Sequence, residues 1–263
     1  MKKIGVIFRK KEKPEAAELG FEIREWLRNK GQRVFTRLTT PILEKKLDFV
    51  ITLGGDGLVL GVADRVAKFG TPLFRVNFGR RGYLCDIKPD EVFENLEKVL
   101  EGEFKIETRT RIKAEVFHEK EKILTTDALN EILLGGINRV VFLELKVSDG
   151  KKKLTVNVTG DGVIFSTETG STAYNINAGG PLLLTNAFSV VASNAYFESE
   201  FFLPNTRTFV TSTRASFKLK SLDPRKSNLP FLVADGQRDY KLKNGDRIEI
   251  RKSPLETFFI KTK

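Results

Sequence analysis

The feature that most constrains this 263-residue chain is a change of hydrophobic period near residue 105. Before it, short apolar runs alternate with helical stripes. Ile4–Phe8, Leu47–Leu53 and Leu73–Val76 read as buried strands. Between and after them, Ala16, Leu19, Ile23, Trp26 and Leu27, then Leu60, Ala63, Val66 and Ala67, then Val92, Phe93, Leu96, Val99 and Leu100 fall at helical spacing. Pro14 and Pro89 stand near helix starts, and Gly31 and Gly70 near helix ends. Strands alternating with helices imply a mostly parallel, helix-covered sheet. After residue 105 the period falls to two, as in Ile112-Ala114-Val116 and Val141-Leu143-Leu145-Val147. Asp149-Gly150 and Asn244-Gly245 supply hairpin turns. The expected fold is an α/β, Rossmann-like N-terminal domain over residues 1–105 and an all-β, sandwich-like C-terminal domain over residues 106–263.

Composition removes several function classes. Hydrophobic residues make up 40% of the chain, enough for a core, and no run approaches the roughly 18 apolar residues of a membrane span. Met1-Lys2-Lys3 leads directly into the first strand without an apolar leader, so a cytoplasmic protein is expected. Cys85 and His118 are the only residues of their types. A Cys/His zinc site, a Cys-x-x-Cys redox centre and an internal disulfide are thereby excluded. The net charge of +11 is spread evenly, with an excess of five basic residues up to Lys105 and six after it. Such a diffuse field suits phosphorylated small molecules as well as nucleic acid, and no nucleic-acid motif accompanies it.

Three segments carry the chemistry. Gly54-Gly55-Asp56-Gly57 lies between a strand and a helix, where bare backbone and free helix N–H groups favour phosphate. A tight turn with an Asp cap is the plainer reading. Asp56 would repel phosphates unless it serves a metal or a hydroxyl proton, which makes it a candidate base for phosphoryl transfer. Gly160-Asp161-Gly162, Thr169-Gly170-Ser171-Thr172-Ala173-Tyr174 and Gly179-Gly180-Pro181 crowd hydroxyls and glycines into little space, as ribose and phosphate recognition requires. Ser171 or Thr172 is expected to cap a helix there. Asn130-Glu131 interrupts the apolar run Ala128–Leu134; either the pair faces solvent on an edge strand, or it is buried and needs partners.

Taken together, in this order and spacing, these segments resemble the NAD kinase family over nearly the whole chain. Gly79-Arg80-Arg81-Gly82-Tyr83-Leu84 is similar to that family's glycine-rich segment after the third strand. The resemblance implies transfer of a phosphoryl group from ATP or polyphosphate to the 2′-hydroxyl of the adenosine ribose of NAD, giving NADP. On that basis Asp56 is the base, and Gly54, Gly55 and Gly57 face the donor phosphates. Asn130 and Glu131 hold the adenosine, and Thr169, Thr172 and Ala173 line its pocket. Asp56, Gly57, Tyr83 and Tyr174 lie against the dinucleotide, and Asp161 serves its nicotinamide end. Mg²⁺ is expected on the donor phosphates without a protein cage. The family also implies a homo-oligomer, dimer or tetramer, without membrane or specific nucleic-acid partners.

Two departures touch the donor side. Leu58 stands where the family has Thr, and Glu168 where it has Pro. They leave room for a dinucleotide sensor of weak or no turnover. A diacylglycerol-type lipid kinase shares the Gly-Gly-Asp-Gly loop but not the Gly-Ser-Thr-Ala-Tyr segment.

Overall fold

The computed structural model describes residues 1–9, 13–79, 82–136, 140–195, 207–222 and 229–262. Arg80 and Arg81 of the glycine-rich segment lie outside them. The chain divides into two units, residues 1–109 with 255–263, and residues 110–254.

The first unit runs β1 (Lys3–Phe8), α1 (Pro14–Asn29), β2 (Arg33–Phe35), α2 (Thr40–Leu43), β3 (Phe49–Gly54), α3 (Asp56–Val66), β4 (Leu73–Asn77), α4 (Val92–Glu101) and the start of β5 (Phe104–His118). β3 is buried along its whole length, as the apolar run Phe49–Leu53 demands of a central parallel strand. α1 has Pro14 in its first turn and buries Ala16, Ile23 and Leu27 on one face. Gly31, with φ of 73°, lies just beyond its end. The strands lie in the order β2-β1-β3-β4, all parallel. β1, β3 and β4 are adjacent, so Phe8, Gly54 and Asn77 end at the same edge of the sheet. Ligands of such sheets bind at that edge. β2 and α2, of three and four residues, are too short to leave a periodic signal.

The second unit comprises the rest of β5 followed by β6 (Glu121–Ala128), β7 (Glu131–Gly135), β8 (Val141–Asp149), β9 (Lys152–Gly160), β10 (Gly162–Ser166), α5 (Tyr174–Asn177), β11 (Ala187–Ser193), β12 (Thr208–Ser212), β13 (Ser216–Ser221), β14 (Phe231–Ala234), β15 (Arg238–Lys241) and the first part of β16 (Asp246–Thr262). One sheet places β12-β11-β10-β7-β14-β15 side by side, all antiparallel. The facing layer contains β16-β13-β8-β9 and the β5–β6 pair. Alternate residues of both layers, among them Ile132, Leu134, Val163, Phe165, Leu145, Phe217 and Ile248, form one apolar core. This is the expected sandwich.

Two expectations are corrected. Asn244-Gly245 does turn the chain, with Gly245 at φ 87°, but it does not close a hairpin. β15 pairs with β14, whereas β16 pairs with β13, because a turn sets reversal and not the partner. The expected second domain, residues 106–263, ends in a segment that groups with the first unit. Phe259 pairs in parallel with Leu73 of β4, and residues 255–263 belong to the first unit. Buried Phe259 and Ile260 supply the apolar contact that draws this strand to β4. The second correction concerns the hydroxyls of the Thr169–Tyr174 segment. Thr169–Thr172 forms a single 3-10 turn, and α5 has only four residues and no side-chain cap. Ser171 Oγ donates instead to the Glu168 carbonyl at 2.7 Å, and Thr172 Oγ1 to that of Thr169 at 3.3 Å. With a helix this short, satisfying the carbonyls of the preceding turn is the better local bond.

The Thr169–Thr172 turn lies directly against the entry of β7. A Cβ placed on Gly170 would stand 2.2 Å from the Asn130 carbonyl oxygen. Backbone on one side and a buried turn on the other leave nothing that yields cheaply. Gly170→Ala is therefore expected to lower stability by about 1–3 kcal/mol, the range for overpacked cores, read as the midpoint of urea unfolding. An unshifted midpoint would show that the turn has slack.

Candidate functional site

In the first unit the site is built on the ends of β1, β3 and β4. β3 ends at Gly54, Gly55 precedes the helix, and α3 begins with Asp56. The plainer reading of Asp56 as a helix cap does not hold, since no side chain caps α3. Its carboxylate reaches the loop after β4 instead: the Tyr83 N–H donates to Oδ2 at 3.0 Å and the Leu84 N–H to Oδ1 at 3.2 Å. Each oxygen keeps a second lone pair for another donor. Below it, the Cys85 thiol faces the Gly54 carbonyl at 3.6 Å. Burial, reinforced by the Asp56 charge, pushes this thiol up to about 12, so it stays protonated. The Asn77 side chain accepts from the Gly79 N–H at 2.8 Å and packs under Gly82, where a Cβ would come within 2.9 Å of it. The Tyr83 side chain is exposed.

Beside the turn is a cleft of about 180 Å³ lined by Gly54, Gly55, Gly57, Leu58, Arg9 and Lys13. The glycines expected to face phosphates thus share a wall with two cations that sequence reasoning did not single out. Their signal was present in the basic run Arg9-Lys10-Lys11-Glu12-Lys13, placed where β1 ends. Leu58 contributes an apolar surface here in place of a hydroxyl.

In the second unit, adjacent strands bring the other motifs together. Ser166, at the end of β10, pairs with Glu131 at the start of β7, and Ala234, at the end of β14, pairs with Ile132. Glu131 therefore lies on an interior strand and Asn130 in the bend that leads into it, and both are buried, not surface-facing on an edge. The Thr167 N–H and hydroxyl donate to the carbonyls of Asn130 and Leu129, at 2.9 and 2.6 Å. The Gly170 N–H donates to Thr167 Oγ1 at 3.1 Å.

On the other side stands Asp235, which sequence reasoning missed. Its carboxylate accepts from the N–H groups of Leu129, Asn130 and Glu131 at 2.8, 2.7 and 3.2 Å. Asp235-Gly236 looks in sequence like an ordinary hairpin turn, and both residues do adopt positive φ. The long-range partners are what the sequence does not display. Burial, reinforced by Asp235, pushes the Glu131 carboxyl up to about 8, against one N–H bond from Tyr174. Burial also raises Asp235, opposed by its three backbone donors and by Arg111.

Glu131 Oε2 and Asn130 Oδ1 are buried without a partner among the described residues. Each is a buried polar atom of the kind a polar ligand satisfies. A nearby cleft of about 390 Å³ is lined by Leu133, Gly135, Gly136, Asp161, Tyr174 and Ser193. Asp161 accepts from Asn194 Nδ2 at 2.7 Å, and Tyr174 is half-exposed. Gly162, at φ 157°, brings β10 so close to β7 that a Cβ would be 2.3 Å from the Leu134 carbonyl oxygen. The Gly179-Gly180-Pro181 loop folds onto buried Asn175, whose Nδ2 donates to Pro181 O at 2.9 Å and Ser171 O at 3.2 Å. Among the described residues no group of three or more His, Cys, Asp or Glu side chains could hold a metal ion.

Comparison with known proteins agrees with these features. Residues 6–104 match the ATP-NAD kinase N-terminal domain, and residues 129–262 match the ATP-NAD kinase C-terminal domain. The NAD kinase of Syntrophotalea carbinolica is 33% identical, over 100% of this chain and 94% of that protein. Among solved structures, an NAD kinase from Archaeoglobus fulgidus in complex with ATP has a TM-score of 0.77 at 22% identity, covering 99% of this chain and 94% of that one. Yeast NADH kinase complexed with NADH has a TM-score of 0.81 at 21% identity, covering 99% and 84%. At those identities the two structures establish the shared fold. With both domain signatures matched in order and a full-length relative at one-third identity, the chain belongs to the NAD kinase family.

Proposed function

We propose that this chain transfers the terminal phosphoryl group of ATP, or of polyphosphate, to the 2′-hydroxyl of the adenosine ribose of NAD, giving NADP. The observation that carries the reading is Asp56, an acidic side chain at the start of α3, held by two backbone N–H groups beside a bare glycine turn. The hydroxyl oxygen forms the new bond to phosphorus as the bridging bond to the donor breaks, and its proton passes to the Asp56 carboxylate. The lone pairs that Tyr83 and Leu84 leave available give that proton a defined destination. Gly54, Gly55 and Gly57 allow the donor phosphates to approach backbone N–H groups. Arg9 and Lys13 offset their charge.

Adenosine recognition falls to the second unit. Asn130 Oδ1 and Glu131 Oε2 await donors, and at neutral pH Glu131 keeps its own proton and can also donate. Thr169, Thr172 and Ala173 line the adenine pocket, with Tyr83 and Tyr174 against the dinucleotide and Asp161 at the nicotinamide end. Among the described residues Asp56 is the one carboxylate at the glycine turn, and Leu58 adds no oxygen ligand. These residues suit Mg²⁺ that arrives on the donor phosphates and is completed by water. There Mg²⁺ would neutralise the charge that repels the incoming hydroxyl. We infer a cytoplasmic homo-oligomer, dimer or tetramer, with no membrane or nucleic-acid partner. No helix among the described residues is long and apolar enough to cross a membrane.

The direct test incubates the purified chain with NAD, Mg²⁺ and either ATP or polyphosphate and measures NADP. Tight NAD binding without product from any donor would instead mark a sensor. Asp56→Asn is expected to cut turnover by a factor of about 10² to 10⁴, the usual contribution of a positioned base, while NAD still binds. Wild-type turnover in that variant removes Asp56 from its role.

Arg9→Ala with Lys13→Ala is expected to raise KM for ATP by roughly tenfold or more, the worth of a charge-assisted hydrogen bond, and to spare KM for NAD. Equal rises in both KM values would place these cations elsewhere in the reaction.

Glu131 also predicts a pH dependence of stability. The folded chain holds this proton up to about pH 8, whereas the unfolded chain releases it near the ordinary value of 4.5. Between those limits the folded state binds the extra proton, so stability falls as pH rises. The NAD-free wild type should lose thermal midpoint between about pH 5 and about pH 8 more steeply than Glu131→Gln does. Parallel profiles would show that Glu131 is ionised in the fold.

A further inference from the structure

We propose that Arg75 is a positioning residue for the reaction: acting through Leu84, and anchored by the C-terminal strand, it sets the orientation of the Asp56 carboxylate. The inference rests on the role given to Asp56 above.

Arg75 occupies the middle of β4, and its side chain is only 2% exposed. Its guanidinium divides its donors between two residues of the loop that follows. Nη1 donates to the Leu84 carbonyl at 2.7 Å, and Nη2 to both oxygens of Asp86 at 2.9 and 3.0 Å. Leu84 is therefore held on both sides, its carbonyl by Arg75 and its N–H by Asp56 Oδ1. The neighbouring Tyr83 N–H occupies Oδ2, so the two N–H groups that orient Asp56 sit on a backbone that Arg75 fastens to the central sheet.

The far side of the guanidinium is closed by the C-terminal strand. The Phe259 ring lies 3.8 Å from the guanidinium carbon, the Ile260 carbonyl accepts from Nη2 at 3.4 Å, and Lys261 pairs with Asp86. Phe259 is also the residue that pairs with Leu73 of β4.

Stability alone gives little reason for this arrangement. A guanidinium in an apolar strand carries a desolvation cost that a well-packed hydrophobic side chain would not, and replacing buried ion pairs by such residues is often neutral or stabilising. What the guanidinium supplies is geometry, through a planar fork that spans residues 84 and 86 together, which a lysine ammonium cannot reproduce. Rates of group transfer are sensitive to displacements of an ångström, so a loop that drifts by that much would misplace the base.

The test uses the full chain and compares the wild type with Arg75→Lys, Asp56→Asn and the double variant. Arg75→Lys should lower kcat by about tenfold to a hundredfold while KM for NAD stays within about twofold. Amide hydrogen exchange at Tyr83 and Leu84 should quicken in the same variant. In the Asp56→Asn background Arg75→Lys should produce no further loss, because the group it positions is gone. A wild-type kcat in Arg75→Lys, losses that multiply in the double variant, or unchanged exchange at Tyr83 and Leu84 would overturn the proposal. Should Arg75→Lys fail to fold, Asp86→Asn, at a partly exposed partner, carries the same comparisons. If Asp56→Asn alone keeps full turnover, the assigned base is wrong, and amide exchange then decides the coupling without reference to activity.

Discussion

Backbone N–H groups in loops at a sheet edge have no ladder partner, and leaving them buried and unbonded costs as much as any contact there returns. In both units a carboxylate meets that need. Asp56 takes the N–H groups of Tyr83 and Leu84, and Asp235 takes those of Leu129, Asn130 and Glu131. The same bonds that satisfy the backbone fix the carboxylate, so loop and side chain order one another. Asp56 is fixed with acceptor capacity to spare. Asp235 takes three donors, two on Oδ1 and one on Oδ2, and its negative charge raises the cost of ionising its neighbour Glu131. One device thus yields two chemical results, an oriented acceptor in one unit and a carboxyl that keeps its proton in the other.

Close approach is what allows these loops to meet their partners, and it explains the glycines better than flexibility does. Gly170 lets the Thr169–Thr172 turn sit on the Asn130 carbonyl, and Gly162 lets β10 meet β7. Gly57, by contrast, has open space where a Cβ would go, and it lines the cleft with Arg9 and Lys13. A glycine packed against backbone is needed for the fold, whereas Gly57, with no close neighbour and no positive φ, is not held to glycine by packing or by backbone conformation. The two kinds look alike in sequence.

The fold was legible where a pattern is local and long. Periods of 3.6 and 2 located the main helices and strands on either side of residue 105, and the Gly-Gly-Asp-Gly turn named its own place between strand and helix. What escaped depends on distance along the chain. β2 is too short to be periodic, Asn244-Gly245 specifies a turn but not a sheet, and Asp235 finds its partners 104 to 106 residues away. Arg75 offered a signal that went unused. A charge inside Leu73-Phe74-Arg75-Val76, a strand buried on both faces, must have partners, and it finds them in the loop ahead and in a strand some 185 residues on.

The net charge of +11 shows why a sum over residues says little about function. On the outer face of the second unit, Lys146 and Lys220 pair with Glu144, and Lys218 and Arg247 pair with Glu249. At Glu115 burial pushes the carboxyl up, but Arg251, Lys122 and Lys113 outweigh it and bring it down to about 2. The pairs at Glu144 and Glu249, whose cations are exposed, contribute at most about 1 kcal/mol each, and all of these pairs cancel much of the field that a bare count of lysines suggests. Arg9 and Lys13 differ in placement. They stand at the edge of a parallel sheet where β1 and β3 end, beside the start of α3, which no side chain caps. There a positive charge adds to an electrostatic field that the backbone already directs at one point. The phosphate site proposed for this chain therefore rests on two cations next to bare backbone, and most of the remaining charge keeps the surface solvated.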